Sequence, residues 1–142
     1  MFKKSKVEEM VNMVYCQYYQ DCIIQDQNIH QKMMNEINIF NEHKDIDFHK
    51  NHIIQLINLS LESTKYNQVK INLIFCDNDK LNSFKREYFD DDVLTDIVTF
   101  PIKNDNDLEA EIYISVEMAK INSKEFNVTL DNELSRLIIH GV

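Results

Sequence analysis

Along this chain apolar residues recur every three or four positions in some stretches and every second position in others, the two rhythms of helix and strand. Val7, Met10, Val11, Val14, Tyr18 and Cys22 follow the helical rhythm, so an amphipathic helix is expected before a polar stretch through Lys32. Ile37, Ile39 and Phe40 mark a short strand, and the polar residues from Asn41 to Asp45 a loop. Between His49 and Ser63 the stripe Ile53, Ile54, Leu56, Ile57, Ser60 and Leu61 predicts a second helix, with Asp47 placed to cap it. Val69, Ile71, Leu73 and Phe75 then alternate with Lys70, Asn72 and the apolar Ile74, which predicts a strand buried on one face and partly buried on the other.

Leu81, Phe84 and Tyr88 give a short helix, followed by an acidic loop over Asp90, Asp91 and Asp92. Ile97 to Phe100 is β-branched and aromatic, a strand that Pro101 is expected to end. After a polar loop from Lys103 to Asp107, Glu111 to Ser115 alternates as a strand, and Val116 to Phe126 reads as a helix capped by Ser115. Leu134, Leu137, Ile138 and Gly141 then share one face of a last helix, with Asp131 as its expected cap. These elements predict an α+β domain with a small mixed sheet of about four strands packed by helices. Neither an internal repeat nor a second domain is visible.

Composition narrows the class more than the chemistry. A chain of 142 residues with 44% hydrophobic and 27% charged residues can bury a core of its own. Its apolar runs fall short of the roughly 20 residues that cross a bilayer, and Cys16, Cys22 and Cys76 fit neither a C-x-x-C spacing nor an even disulfide framework. The expectation is a cytoplasmic protein with free thiols and no membrane partner. A net charge of -9 opposes nucleic acid at long range, so contact with a phosphate backbone would need a local basic patch.

Most candidate sites fail on spacing. His49 and His52 share a predicted helix, but no third donor completes a metal set, and both read as solvated. Asp77-Asn78-Asp79 opens like a calcium loop, yet the positions for its Gly and bidentate Glu hold Asn82 and Tyr88. With Gly141 the only glycine, no phosphate-cradling loop exists and no nucleotide cofactor is expected. His140, next to Gly141 at the end of an apolar helix, is a candidate metal ligand whose spacing alone is weak.

Three stretches together say more. Asp92-Val93-Leu94-Thr95-Asp96-Ile97-Val98-Thr99-Phe100, Glu111-Ile112-Tyr113-Ile114-Ser115 and Ile138-Ile139-His140-Gly141-Val142 resemble the motifs D-x-x-T-D-V-L-S-F, G-D-I-x-I-S and H-G-x-L-H-L-x-G-Y-D-H of the YbeY family of bacterial endoribonucleases. The resemblance covers about residues 34–142, with Ala110 in place of a usual Gly, and leaves residues 1–33 as a helical N-terminal extension or read-through from an upstream start. It implies a zincin-like fold and a metal-dependent endoribonuclease acting on single-stranded RNA in 16S rRNA 3′ end maturation, with ribosomal RNA and the small subunit as partners.

In that family three histidines of the last motif hold one zinc ion, which lowers the pKa of a bound water or polarises a phosphoryl oxygen. His140 matches the first of them, and the sequence stops at Val142 before the other two. The expectation is therefore a C-terminally truncated chain, poor in metal and inactive alone. A family Arg in the cleft aligns with Phe89, which cannot stabilise a phosphorane's charge, and Lys85, Arg86 and Arg136 are left as the cations for substrate. The alternative is a non-catalytic ribosome-associated module that has lost its metal site.

Overall fold

The computed structural model describes residues 35–44, 46–90 and 94–142, so the helix expected over residues 7–22 and most of the acidic loop lie outside the described residues. The described elements run β1 (Glu36–Asn41), α1 (Lys50–Leu61), β2 (Val69–Cys76), α2 (Asn78–Phe89), β3 (Ile97–Asn104), β4 (Leu108–Ser115), α3 (Val116–Glu125) and α4 (Leu130–Gly141). One four-stranded sheet has the order β1-β2-β4-β3. β1, β2 and β4 are parallel, with Ile39 opposite Leu73 and Leu73 opposite Ile112, while β3 pairs antiparallel with β4. The sheet is thus mixed, as the sequence predicts.

Alternation in β2 assigns the two sheet faces. Ile71, Leu73 and Phe75 point with Ile112 and Ile114 toward Ile53, Leu56 and Ile57 of α1, Ala119 of α3 and Leu134, Leu137 and Ile138 of α4, forming the main core. Taking each fully buried Leu or Ile out of water is worth about 1.5–3 kcal/mol, which makes this face the chief stabiliser. Ile74, Cys76 and Val98 face the other way against Leu81 of α2, with Phe84, Phe100 and Tyr113 packed beside them. The central strand is therefore buried on both sides, and among the described residues the second layer is a single helix.

Helix ends depart from the sequence reading where two capping residues compete. α4 is capped by Thr129, whose side chain accepts from the Asn132 amide at 3.2 Å, and Asp131 falls inside the first turn, where its charge suits the helix dipole. At α1 the cap position belongs to His49, with no side-chain cap bond, and Asp47 lies two residues too early. Ser115 caps α3 as expected, accepting from the Met118 amide at 3.2 Å, and Asp77 caps α2 by accepting from the Lys80 amide at 2.9 Å. The would-be calcium loop is thus a helix start.

Pro101 does not end its strand. β3 continues to Asn104, with Pro101 opposite Ala110 and a register shift between Pro101 and Lys103. The missing amide is tolerated because β3 is an edge strand and the irregularity sits beside it. β4 accordingly begins at Leu108, three residues before the alternating pattern suggests. In a chain with one glycine, positive φ among the described residues falls to Asp90 (47°) after α2 and Asn127 (52°) after α3. Asn127 donates to the Lys124 carbonyl and Val128 to the Ser123 carbonyl, closing α3 with the paired bonds of a left-handed helix stop and aiming the chain into α4.

Candidate functional site

The geometry converges where α4 meets the start of β3. Ser115, the last residue of β4, donates its amide to the Asp96 carbonyl at 2.9 Å, which fixes Asp96 at the head of β3. The Asp96 carboxylate accepts from Asn122 Nδ2 of α3 at 3.1 Å and from Arg136 Nη2 of α4 at 3.4 Å. Glu133, 1% exposed, accepts from Arg136 Nη2 at 2.6 Å, from Arg136 Nε at 3.0 Å and from Asn122 Nδ2 at 3.2 Å. A buried carboxylate is costly unless such charge-assisted bonds surround it. Here one guanidinium, one amide and two carboxylates lock β3, α3 and α4 together.

Arg136 is accordingly held in place. Its bond to Glu133 raises its pKa further above the ordinary value, with Asp96 adding in the same direction against partial burial. The guanidinium also lies 5.7 Å from the Phe126 ring centroid. The Glu133–Arg136 spacing of three was visible in the sequence as a helical ion pair, but Asp96 and Asn122 join it only through the fold.

One turn further, α4 presents His140 to solvent in its last turn. Its neighbour Gly141 is pressed on the sheet: a Cβ there would stand 2.5 Å from Ile97 Cδ1 and 3.3 Å from Ile112 Cγ2. Thr99 Oγ1 donates to the Gly141 carbonyl at 3.1 Å, tying the helix end to β3. A cavity of about 220 Å³ opens beside this contact, lined by Ser60, Tyr66, Thr99, Ile112, Gly141 and Val142 among others. The glycine is there for close approach to the sheet, since its φ is not positive.

The donor set does not make a zinc site. Among the described residues no group of three or more His, Cys, Asp and Glu side chains could hold a metal ion, and a single exposed imidazole supplies one ligand of the four that zinc takes. His140 therefore has no metal-binding group around it among the described residues.

The other sequence candidates lie elsewhere. Lys85, Arg86 and Phe89 belong to α2, on the sheet face opposite α4, with the Lys85 ammonium 5.3 Å from the Phe89 ring centroid. The structure thus separates these residues from Arg136 and His140 by the thickness of the sheet. His52, expected in solvent, is drawn into the contact between α1 and α4, 3.5 Å from Ser135 Oγ, where burial lowers its pKa against the opposing pull of Asp131. Cys76 is buried and its thiol pushed up to about 12 by burial, which makes it a packing residue rather than a nucleophile.

Comparison with known proteins agrees with this arrangement. The family model described as Endoribonuclease YbeY matches residues 23–142. The chain is 40% identical over 80 residues to an Endoribonuclease YbeY of Flavobacterium johnsoniae, covering 56% of this chain and 58% of that one. It is 36% identical over 107 residues to the Endoribonuclease YbeY of Christiangramia forsetii, covering 75% of each. The solution structure of TM1509 from Thermotoga maritima is similar at a TM-score of 0.50 and 28% identity, over 74% of this chain and 68% of that one. The chain thus spans between about half and three quarters of the length of the relatives it matches. With the family match extending unbroken from residue 23 to residue 142, through α4 and its His140-Gly141 end, the chain belongs to the Endoribonuclease YbeY family.

Proposed function

We propose that this protein is an endoribonuclease of single-stranded RNA, acting in 16S rRNA 3′ end maturation in the cytoplasm. Family membership carries the proposal, and the seating of Gly141 on β3, which fixes the helix end bearing His140, supports it. Lys85, Arg86 and Arg136 are its RNA-contacting cations, Arg136 the weakest of them because Glu133 and Asp96 already share its charge. Zinc is the metal proposed for the family site, where it would activate water or a phosphoryl oxygen. His140 is assigned one ligand position at the end of α4.

A second reading is a ribosome-associated binding module without catalysis. It is favoured by one observation: Phe89 stands, half exposed, where the family resemblance places an Arg. The two readings separate in one assay. A 5′-labelled single-stranded precursor of the 16S rRNA 3′ end is incubated with the protein, with and without added zinc. Metal-dependent cleavage supports the nuclease. If the protein binds small-subunit RNA and does not cleave with zinc added, the module is correct.

A further inference from the structure

Among the described residues the sheet face opposite α4 carries one helix, and what that helix leaves in water is aromatic. Phe100 of β3 is the hub of the group. Phe84 meets it edge-on at 5.3 Å and Tyr88 at 5.3 Å and 70°, Phe89 lies near-parallel at 6.2 Å, and Tyr113 stands 5.9 Å away. The inner rings are partly buried, whereas Tyr88 is 61% and Phe89 51% exposed. Contacts with Phe100 hold both outer rings on a rigid strand and helix, so their orientation is set before anything binds.

Cations interleave with these rings. The helix reads Phe84-Lys85-Arg86-Glu87-Tyr88-Phe89, and Lys85 lies over the Phe89 ring. Glu87 and Asp90 flank the same turn, with Asp91 and Asp92 next in sequence, so the two cations are outnumbered locally in a chain of net charge -9. A ligand drawn by charge alone is disfavoured. A flexible polyanion with flat apolar rings of its own suits the surface, because base–aromatic stacking supplies affinity that a weak basic patch cannot. Position supports the same ligand: β3 is the sheet edge, with Phe100 facing α2 and its neighbour Thr99 bonded to Gly141 on the other face. A single strand crossing that edge touches both.

Resting on the endoribonuclease reading, we propose that Tyr88 and Phe89 form a stacking platform for unpaired bases of the RNA substrate, with Lys85 and Arg86 on the adjoining phosphates. Duplex RNA, whose bases are already stacked on each other, does not use it.

The test is an anisotropy titration of residues 1–142 with a labelled uridine dodecamer and with a duplex of equal length, without added metal. Tyr88→Ala, Phe89→Ala and Phe89→Leu are compared with Ile121→Ala, which removes an exposed apolar side chain on α3. Each loss of a ring is expected to weaken dodecamer binding about 5- to 100-fold, the Leu variant included, while Ile121→Ala and duplex binding stay unchanged. Wild-type affinity in the ring variants overturns the platform. So does wild-type affinity in Phe89→Leu alone, which marks a generic apolar contact, or a loss of self-association in sedimentation with dodecamer affinity intact, which marks a dimer surface. Cleavage is read separately with zinc added, so RNA cut normally by a chain whose binding ignores the rings sinks the platform and spares the nuclease reading. Ring-dependent binding with no cleavage does the reverse.

Discussion

Arg136 closes on Glu133 with two nitrogens, at 2.6 and 3.0 Å, around a carboxylate that is 1% exposed. Because three elements meet at this pair, its loss should be felt by the whole domain. Arg136→Ala strands a buried charge. The expected cost is about 2–3 kcal/mol, below the roughly 3–5 kcal/mol of a fully enclosed pair, since the guanidinium keeps part of its surface in water. Glu133→Gln, which keeps the bond to Asn122 but not the ion pair, should cost less. Urea midpoints of the two variants check the order, and equal stability of Arg136→Ala and wild type would show the pair to be ornamental.

Gly141 tests how tightly the end of α4 must seat. A methyl group at Gly141 meets Ile97 Cδ1 at 2.5 Å, but that atom ends a flexible side chain. Gly141→Ala is therefore expected to destabilise by only about 1 kcal/mol, overpacking being partly offset by better helix propensity. Ile97→Val deletes the clashing atom, so the double variant should recover most of the loss. A double-mutant cycle reads this directly, and strict additivity would mean the strain lies elsewhere, with the Thr99 bond the next candidate.

Parts of this arrangement were legible in the sequence, and the failures have physical causes. Periodicity located every described strand and helix because apolar residues recur at strand or helix spacing in each, even in β2, which is buried on both faces. Thr129 and Asp131 are both good caps two residues apart, and only the packed position of Leu130 decides between them. Pro101 read as a stop because a proline ends a central strand; that β3 is an edge is a property of sheet order, which no local window contains. The same limit hid the site network. Glu133 and Arg136 lie in one helical turn, but Asp96 is 40 positions from Arg136 and Asn122 is 26 from Asp96. His140 was a candidate from its place before Gly141 at a helix end, and likeness to a family motif strengthened it.

The thiol of Cys76 should be inert in the folded chain. It is 1% exposed, faces the Ile114 carbonyl at 3.6 Å, and has its pKa pushed up to about 12 by burial, against the pull of Lys80. Thiolate is the reactive form, so alkylation by iodoacetamide at pH 8 should leave Cys76 unmodified in native conditions and complete in urea. Peptide-level mass spectrometry distinguishes it from Cys16 and Cys22. Rapid native labelling at Cys76 would show that α2 opens from the sheet far more often than its packing implies.

His52 makes stability depend on pH in a definite direction. Burial between α1 and α4 holds its folded pKa below the ordinary 6.5, His49 adding to the effect and Asp131 opposing it. A group that binds its proton less well when folded gives a native state that is outcompeted by the protonated unfolded chain in acid. The contribution is fully present above pH 6.5 and is lost as pH falls below that value toward the folded pKa. Urea midpoints at pH 8, 7, 6 and 5 should therefore decline on the acid side, and His52→Gln should flatten the part of that decline lying between pH 7 and 5. A slope between pH 7 and 5 that is identical in wild type and His52→Gln would remove His52 from the account and leave acid sensitivity to the carboxylates.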